Sequence, residues 1–352
     1  MGNDLNQELV VGLDAGGTRT RAVLADAEDG RVLGESTGGP GNAMTVPVPQ
    51  LTDHLAEALA RVVPEGARAR VVAVTGGFAG ATAASEEDPG TSRARTALTE
   101  ALDRLGIPAR RVGVCSDIEA AFAAAPGTPS DGLALVAGTG AVAMRITDRH
   151  ATTTVDGDGW LLGDEGSGFW IGRSAVRAAL RMADGRGRPT VLAGWVGRTL
   201  GLPVDVLPKG SIPSYDHGGT ALPSGTGAHP TGVPGWSPAR REDFRRHLLP
   251  AVMADPPIRL ARFAPLVADA AAEKDAVAET ILSEAADHLL ETVRALKPCP
   301  GERIVATGGL LGPQGPLTVP LAERLQTHGL RLDWVADGCP GAVALARLAH
   351  PS

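Results

Sequence analysis

Four short stretches of the chain carry glycine turns, isolated carboxylates or both. In "LDAGGTRT" an apolar run ends at Leu13, Asp14 follows, and Gly16 and Gly17 permit a tight turn with exposed backbone N–H groups. Such a turn can wrap a phosphate, with Thr18 and Thr20 as hydroxyl donors, and Asp14 at a strand end suits a hard cation such as Mg²⁺. The same residues also make an ordinary hairpin, in which Asp and Gly are turn formers. "AGTGAVA" repeats the plan with Gly138, Thr139 and Gly140. Two facing cradles suit a polyphosphate held in a cleft. Neither the GxxxxGK[ST] spacing of a P-loop nor GxGxxG is present.

In "RVGVCSDIEAAFAAA" Asp117 falls between a strand and a helix. It could cap that helix, accepting from N–H groups two or three positions on. It could instead point from the carboxyl end of the strand into the cleft where α/β folds bind ligands. There it could take a proton from a hydroxyl that attacks phosphorus. The fourth stretch, "DGWLLGDEGSGFWIG" at 158–172, crowds five glycines, three acids and two tryptophans ahead of a helix. A carboxylate can accept from two hydroxyls at once, so Asp164 and Glu165 could hold a sugar, with the glycines letting backbone approach the ring. Acids ahead of a helix also simply complement its dipole. That explains one acid more easily than five glycines.

The elements that must position these residues are legible in the apolar pattern. "ELVVGLDAGGTRTRAVLAD" and "GLALVAGTGAVAMRITD" each read as strand, glycine turn, strand, and suggest two related halves. "ARVVAVTGGFAG" is a strand ending in glycines; "ERIVATGGLLGP" runs into Gly308 and Gly309. "TSRARTALTEALDRLG" is an amphipathic helix closed by Gly106 and Pro108. Alternating strands and helices in two halves predict an α/β fold with two similar lobes and a cleft between them. The division is expected as 1–136 and 137–352, with the final helix "PGAVALARLA" packing back across the lobes. Residues 203–241, with seven prolines and seven glycines, read as a surface loop or an insertion, with a lid over the cleft as the functional alternative.

Composition narrows the function classes. A net charge of -7 argues against nucleic acid or an anionic membrane as main partner. Cys115, Cys299 and Cys339 are far apart, without the spacing of a zinc or iron–sulfur site, and reduced thiols fit a cytoplasmic protein. The start of the chain lacks a basic segment followed by an apolar run, so no signal peptide is expected, and no stretch is long and apolar enough for a membrane helix.

"LDAGGTRT", "SDIEAAF", "AGTGAVAMR", "GDEGSGFWIG" and "ATGGLLG", in this order over residues 9–345, resemble the actin-like superfamily of sugar kinases, heat-shock chaperones and actin. More narrowly, they resemble the BadF/BadG-type ATPase family and its N-acetylglucosamine kinase members, with "GDEGSG" the specific element. The resemblance implies a two-lobed actin-like (ribonuclease H-like) ATPase fold. It implies transfer of the γ-phosphate of ATP, with Mg²⁺, to O6 of N-acetylglucosamine. Gly16, Gly17 and Thr18 would form the first phosphate loop, with Asp14 on the metal. Gly138, Thr139 and Gly140 would form the second, and Gly308 and Gly309 would border the adenosine. Asp117 would be the catalytic base. Asn42, Thr75 and Asp164 would join it in holding the amino sugar, with Thr75 near the 2-substituent. A homodimer follows from the same resemblance. One departure is Asp158, which stands where N-acetylglucosamine kinases often carry the tryptophan of a Gly–Trp–Gly run, with Trp160 two positions later. An acid there could favour a free ammonium, hence glucosamine; a muramic-type sugar is a further alternative. Other classes within the resemblance are the activator of 2-hydroxyacyl-CoA dehydratases and a non-catalytic sugar sensor.

Overall fold

A computed structural model describes residues 7–82, 88–208 and 236–350. Its first sheet contains β1 (Leu9–Ala15), β2 (Thr20–Asp26), β3 (Val32–Gly38), β4 (Val71–Phe78) and β5 (Arg111–Ser116), in the order β3-β2-β1-β4-β5. The second contains β6 (Gly132–Ala137), β7 (Ala141–Thr147), β8 (His150–Asp156), β9 (Arg303–Thr307) and β10 (Arg331–Trp334), in the order β10-β9-β6-β7-β8. In each sheet the first three strands form an antiparallel meander, and the last two join it in parallel. The two sheets therefore share one topology. Each glycine turn joins the first and second strands of its own sheet, so the sequence repeat is a repeat of architecture, and the expected two-lobed α/β fold is present. Sheet membership puts β6 wholly in the second lobe: its neighbours are β7 and β9, and a division at 136/137 would cut it.

The strand patterns follow their positions. β1 and β4 are covered on both faces and read as nearly unbroken apolar runs, whereas edge strand β3 alternates in exposure. The helices are α1 (Val48–Val62), α2 (Pro89–Leu105), α3 (Asp117–Ala123), α4 (Gly168–Ala183), α5 (Leu192–Thr199), α6 (Pro238–Met253), α7 (Ala264–Ala272), α8 (Ala276–Ala295), α9 (Thr318–Thr327) and α10 (Cys339–Ala349). α1 and α2 bury their apolar faces on one side of the first sheet, against Leu9, Val11 and Leu13. α10 packs on the other side, where Val343 and Ala346 meet Val10 and Val23. α2 ends where its sequence announces, with Gly106 closing the helix at φ +62°, but starts two residues earlier than the sequence pattern indicates, with Asp88 accepting from the Thr91 N–H at 2.8 Å. α4 to α9 share one core with the inner face of the second sheet.

α3 belongs to both lobes. Its Ala121 and Phe122, with Ala125 just beyond its end, sit on Ala134, Ile146 and Val305 of the second sheet. Burying Phe122 alone is worth about 1.5–3 kcal/mol. The opposite side of α3 approaches the first lobe so closely that glycine is required. A Cβ at Gly77 would lie 2.5 Å from the Ala120 Cβ, and one at Gly341 only 1.8 Å from the Ala120 carbonyl oxygen. This contact fixes the start of α3, and with it Asp117.

Of the proline- and glycine-rich stretch, residues 209–235 lie outside the described residues. Its flanks are joined, because the Trp236 indole N–H donates to the Val206 carbonyl at 2.9 Å. Helix resumes earlier than the sequence pattern indicates, at Pro238: Ser237 caps it, and proline is well suited to the first turn.

Candidate active site

The parallel strands β1, β4 and β5 end side by side, as in other α/β sheets with a ligand crevice at their carboxyl ends. Asp14 stands at the end of β1 and Asp117 immediately after β5. Both line a cleft of about 250 Å³, with Gly16 and Thr18 on the same side and Val136 and Thr307 of the second lobe opposite. The cap reading of Asp117 does not hold. Ser116 caps α3: its Oγ accepts from the Glu119 N–H at 3.1 Å, and the Glu119 carboxylate accepts from the Ser116 N–H at 2.8 Å. The other Glu119 oxygen accepts from the Ala151 N–H of β8 at 2.8 Å, tying α3 to the second lobe. Asp117 is thus released from capping and left facing the cleft.

Electrostatics mark the same pair. Burial, then the charge of Asp14, pushes the Asp117 carboxyl up to about 6, against an opposing pull from nearby backbone N–H groups. Asp14 is also raised, by burial first and by Asp337, although the Gly338 N–H donates to its Oδ2 at 3.1 Å. Asp14, Asp337 and Cys339 each bring a ligand atom within 4.8 Å of the others. The two carboxylates are hard oxygen donors of the kind Mg²⁺ takes, and a cation there would relieve their repulsion. The Cys339 thiol, pushed upward by burial and the adjacent acids, is a soft donor and a poor match for a hard ion. Asp337, which pairs with Arg21 at 2.6 Å, was not singled out from sequence. Its only signal is an acid just ahead of the "GCPGAVALA" helix.

The glycines divide into two groups. Gly140 and Gly308 are demanded by the fold: a Cβ would lie 2.7 Å from Asp164 Oδ1 in the first case and 2.3 Å from the Ala137 carbonyl oxygen in the second, where φ is also +103°. Gly17, Gly138 and Gly309 have no positive φ, and nothing lies within 4 Å of the space a Cβ would fill. Gly66, exposed in the short 3₁₀ helix Glu65–Arg70, shares that freedom. At the three glycine turns an open approach to the backbone is what a bound phosphate or nucleotide would use. Gly17→Val is accordingly expected to leave the melting temperature within a degree or two while raising the KM for ATP roughly fivefold or more, read by steady-state kinetics and thermal denaturation. Thr18 lines the cleft, and Thr139 is exposed at the tip of the second turn. Thr20 is different: it is fully buried against the Gly41 loop, and its hydroxyl is not a cleft donor.

The "GDEGSG" segment is a clamp on the second glycine turn. Asp164 Oδ1 accepts from the Ala141 N–H at 3.0 Å, the Gly168 N–H donates to the Gly138 carbonyl at 2.8 Å, and the Phe169 N–H donates to the Thr139 carbonyl at 3.1 Å. Asp164 is buried, which raises its pKa, and it takes a left-handed φ of +58°. Asp156, unnoticed in the sequence, holds the segment from below by accepting from the N–H groups of Asp164 and Glu165. α4 is capped by Ser167, not by either acid, and Glu165 turns toward His288 of α8, 3.6 Å away. The glycines serve close packing: a Cβ at Gly166 would lie 2.5 Å from the Ala285 carbonyl oxygen.

Asn42 and Thr75 are not brought to the cleft lining. Asn42 Oδ1 accepts from the N–H groups of Met44 and Thr45 at 2.9 and 3.0 Å, leaving its amide N–H₂ to donate. Its loop is docked on the first turn, with the Gly41 N–H donating to the Gly16 carbonyl at 2.8 Å. Thr75 is buried inside β4, its hydroxyl filling the space beside Gly113. Asp158 is exposed, and Trp160, beside it, tilts onto Phe169 with ring centroids 5.9 Å apart.

Comparison with known proteins places this geometry. A curated N-acetylmuramic acid/N-acetylglucosamine kinase of Clostridium acetobutylicum is 27% identical over 191 residues, a match spanning 53% of this chain and 58% of the relative. Two solved structures with suggested N-acetylglucosamine kinase assignments share the fold over 97% of this chain. The one from Chromobacterium violaceum has a TM-score of 0.64 at 20% identity and is covered over 99% of its length. The one from Porphyromonas gingivalis has a TM-score of 0.63 at 19% identity and is covered completely, at 100%. The lobes are therefore those of the actin-like ATPase fold. The model of the BadF/BadG/BcrA/BcrD ATPase family matches residues 11–319, and the chain belongs to that family.

Proposed function

We propose that the protein is an ATP-dependent amino-sugar kinase that transfers the γ-phosphoryl group to O6 of N-acetylglucosamine, or of glucosamine by the same chemistry. The observation that carries this reading is Asp117, uncapped and raised, in the cleft it shares with Asp14 at the meeting of the lobes. The substrate hydroxyl gives its proton to the Asp117 carboxylate as its oxygen bonds to the γ-phosphorus, and the bond from phosphorus to the departing ADP oxygen breaks. A divalent cation, when bound, neutralises charge on the phosphates; Asp14 and Asp337 are the residues that would hold it. Gly16 to Thr18 and Gly138 to Gly140 would place the polyphosphate through their N–H groups. Homodimer formation belongs to the same proposal and rests on the family resemblance.

The experiment is ADP release from Mg²⁺-ATP with glucosamine, N-acetylglucosamine, N-acetylmuramic acid or glucose as acceptor. Stimulation by an amino sugar well above that by glucose is the expected result and selects the 2-substituent. ATP turnover indifferent to every sugar would point to an activator instead, and no turnover at all to a sensor. The cysteines speak against the first: Cys339 is buried, Cys115 is half-buried with its thiol pushed up by burial, and Cys299 is alone at the surface.

A further inference from the structure

We propose a second ligand site, an arginine-lined pocket between α4 and α8, that binds a phosphorylated small molecule through two or more charged oxygens. α4 carries Arg173, Arg177 and Arg181 at four-residue spacing, which puts them on one face of the helix. Two more guanidiniums, Arg186 and Arg188, come from the turn that follows. That turn folds back because Gly185 adopts φ +80° and the N–H groups of Arg186 and Gly187 both donate to the Arg181 carbonyl. The facing wall is the first half of α8, with Thr280 and Glu284. Together they line a half-open pocket of roughly 740 Å³, in which Arg177, Arg181, Arg186 and Arg188 are exposed and which shares no lining residue with the cleft described above.

Charge inside this pocket is unbalanced. Asp184 pairs with Arg186, and Glu284 is the one acid on the wall. Arg173, Arg177, Arg181 and Arg188 have no carboxylate partner among the described residues. The Nε of Arg173 is buried with no hydrogen-bond partner, while its guanidinium lies over the Phe169 ring at 5.5 Å from the centroid. Like charges four residues apart on a helix repel by a modest amount, and an anion bridging the row on α4 would relieve that repulsion. The chain as a whole carries a charge of -7, which makes the pocket a local reversal rather than part of a basic surface.

The chemistry of the walls selects the ligand. Guanidinium forks match phosphate oxygens in pairs and stay charged at every physiological pH. A concave pocket of this size, on a chain whose net charge is negative, suits a small molecule rather than a nucleic acid. The hydroxyls of Ser174 and Thr280 offer neutral hydrogen bonds, and Trp170 and Ile281 give an apolar wall for a ring. A nucleoside phosphate and a sugar phosphate share these features.

Calorimetric titration of the full-length protein with inorganic pyrophosphate, ADP and glucose 6-phosphate tests the site. At least one probe should bind at millimolar concentration or below. Binding should weaken roughly tenfold or more in Arg177→Gln/Arg181→Gln, the loss of one or two charge-assisted hydrogen bonds. Preference for ADP or for glucose 6-phosphate in that variant-sensitive component identifies the nucleotide or the sugar source. If the double variant fails to fold, Arg177→Gln alone should weaken binding about threefold or more. No binding by any probe, or binding of equal strength in wild type and variants, overturns the proposal. The readout needs no turnover, so its failure and that of the kinase reading are separable.

Discussion

Asp117→Asn should lower sugar-dependent ADP release by about 10²–10⁴-fold, the range lost with a general base, and should at the same time make the protein more stable at neutral pH. The first effect follows from the proposed role of Asp117 as proton acceptor in the cleft. The second follows from linkage. The folded-state carboxyl is raised to about 6 from an ordinary 3.8, so between those values the native protein holds a proton that the unfolded chain has lost. Stability therefore falls as pH rises from about 4 to 6, and the deficit persists above 6, where the native carboxylate is charged, partly desolvated and close to Asp14. Asparagine keeps the shape and removes the charge. It does not disturb the start of α3, because Ser116 and Glu119 provide the cap. Thermal melting at pH 7 and at pH 4 reads this directly: the variant should melt higher than wild type at pH 7, with the gap closing at pH 4. A variant that is inactive because it is less stable would return Asp117 to a structural role.

Asp164→Ala should distinguish a sugar ligand from a clamp. The carboxylate holds the Ala141 N–H inside the protein, and the alanine variant leaves that donor unsatisfied and frees the second glycine turn. Loss of a hydrogen bond to a buried charged group is worth about 1.5–3 kcal/mol. Were it expressed wholly at the turn, the KM for ATP would rise roughly 10- to 100-fold. The sugar KM should move far less. Asp164→Asn, which retains an acceptor oxygen for the Ala141 N–H, should recover most of the ATP affinity. The opposite split, with sugar KM raised and ATP KM unchanged, would restore Asp164 to direct sugar binding. Initial-rate kinetics with each substrate varied in turn decides it.

Much of the architecture was legible because it is local or periodic. Apolar runs with glycine turns announced β1–β2 and β6–β7, and their repetition announced two lobes of one topology. The carboxyl-end position of Asp14 and Asp117 could be anticipated once the strands were assigned, because side chains there face the crevice of any such sheet. Residue type also fixed the glycine turns, although not why each glycine is needed. Gly140 and Gly17 look alike in sequence; only packing shows that Asp164 crowds one and nothing crowds the other.

What the sequence by itself determined is the fold, the family and the two carboxylates at the strand ends, since these depend on pattern and on neighbours in the chain. What the tertiary structure decided is which polar groups are already spoken for. A short motif leaves Asp117 equally able to cap or to catalyse, and "GDEGSG" equally able to hold a sugar or a loop. The capping question is answered locally, by Ser116 and Glu119, but the placement of these groups comes from farther along the chain: Gly77 and Gly341 seat α3, Asp164 is drawn down onto Ala141, and Asp337 arrives beside Asp14 from more than three hundred residues away. A buried donor or acceptor must find a partner wherever the fold places one, and no local spacing records where that will be.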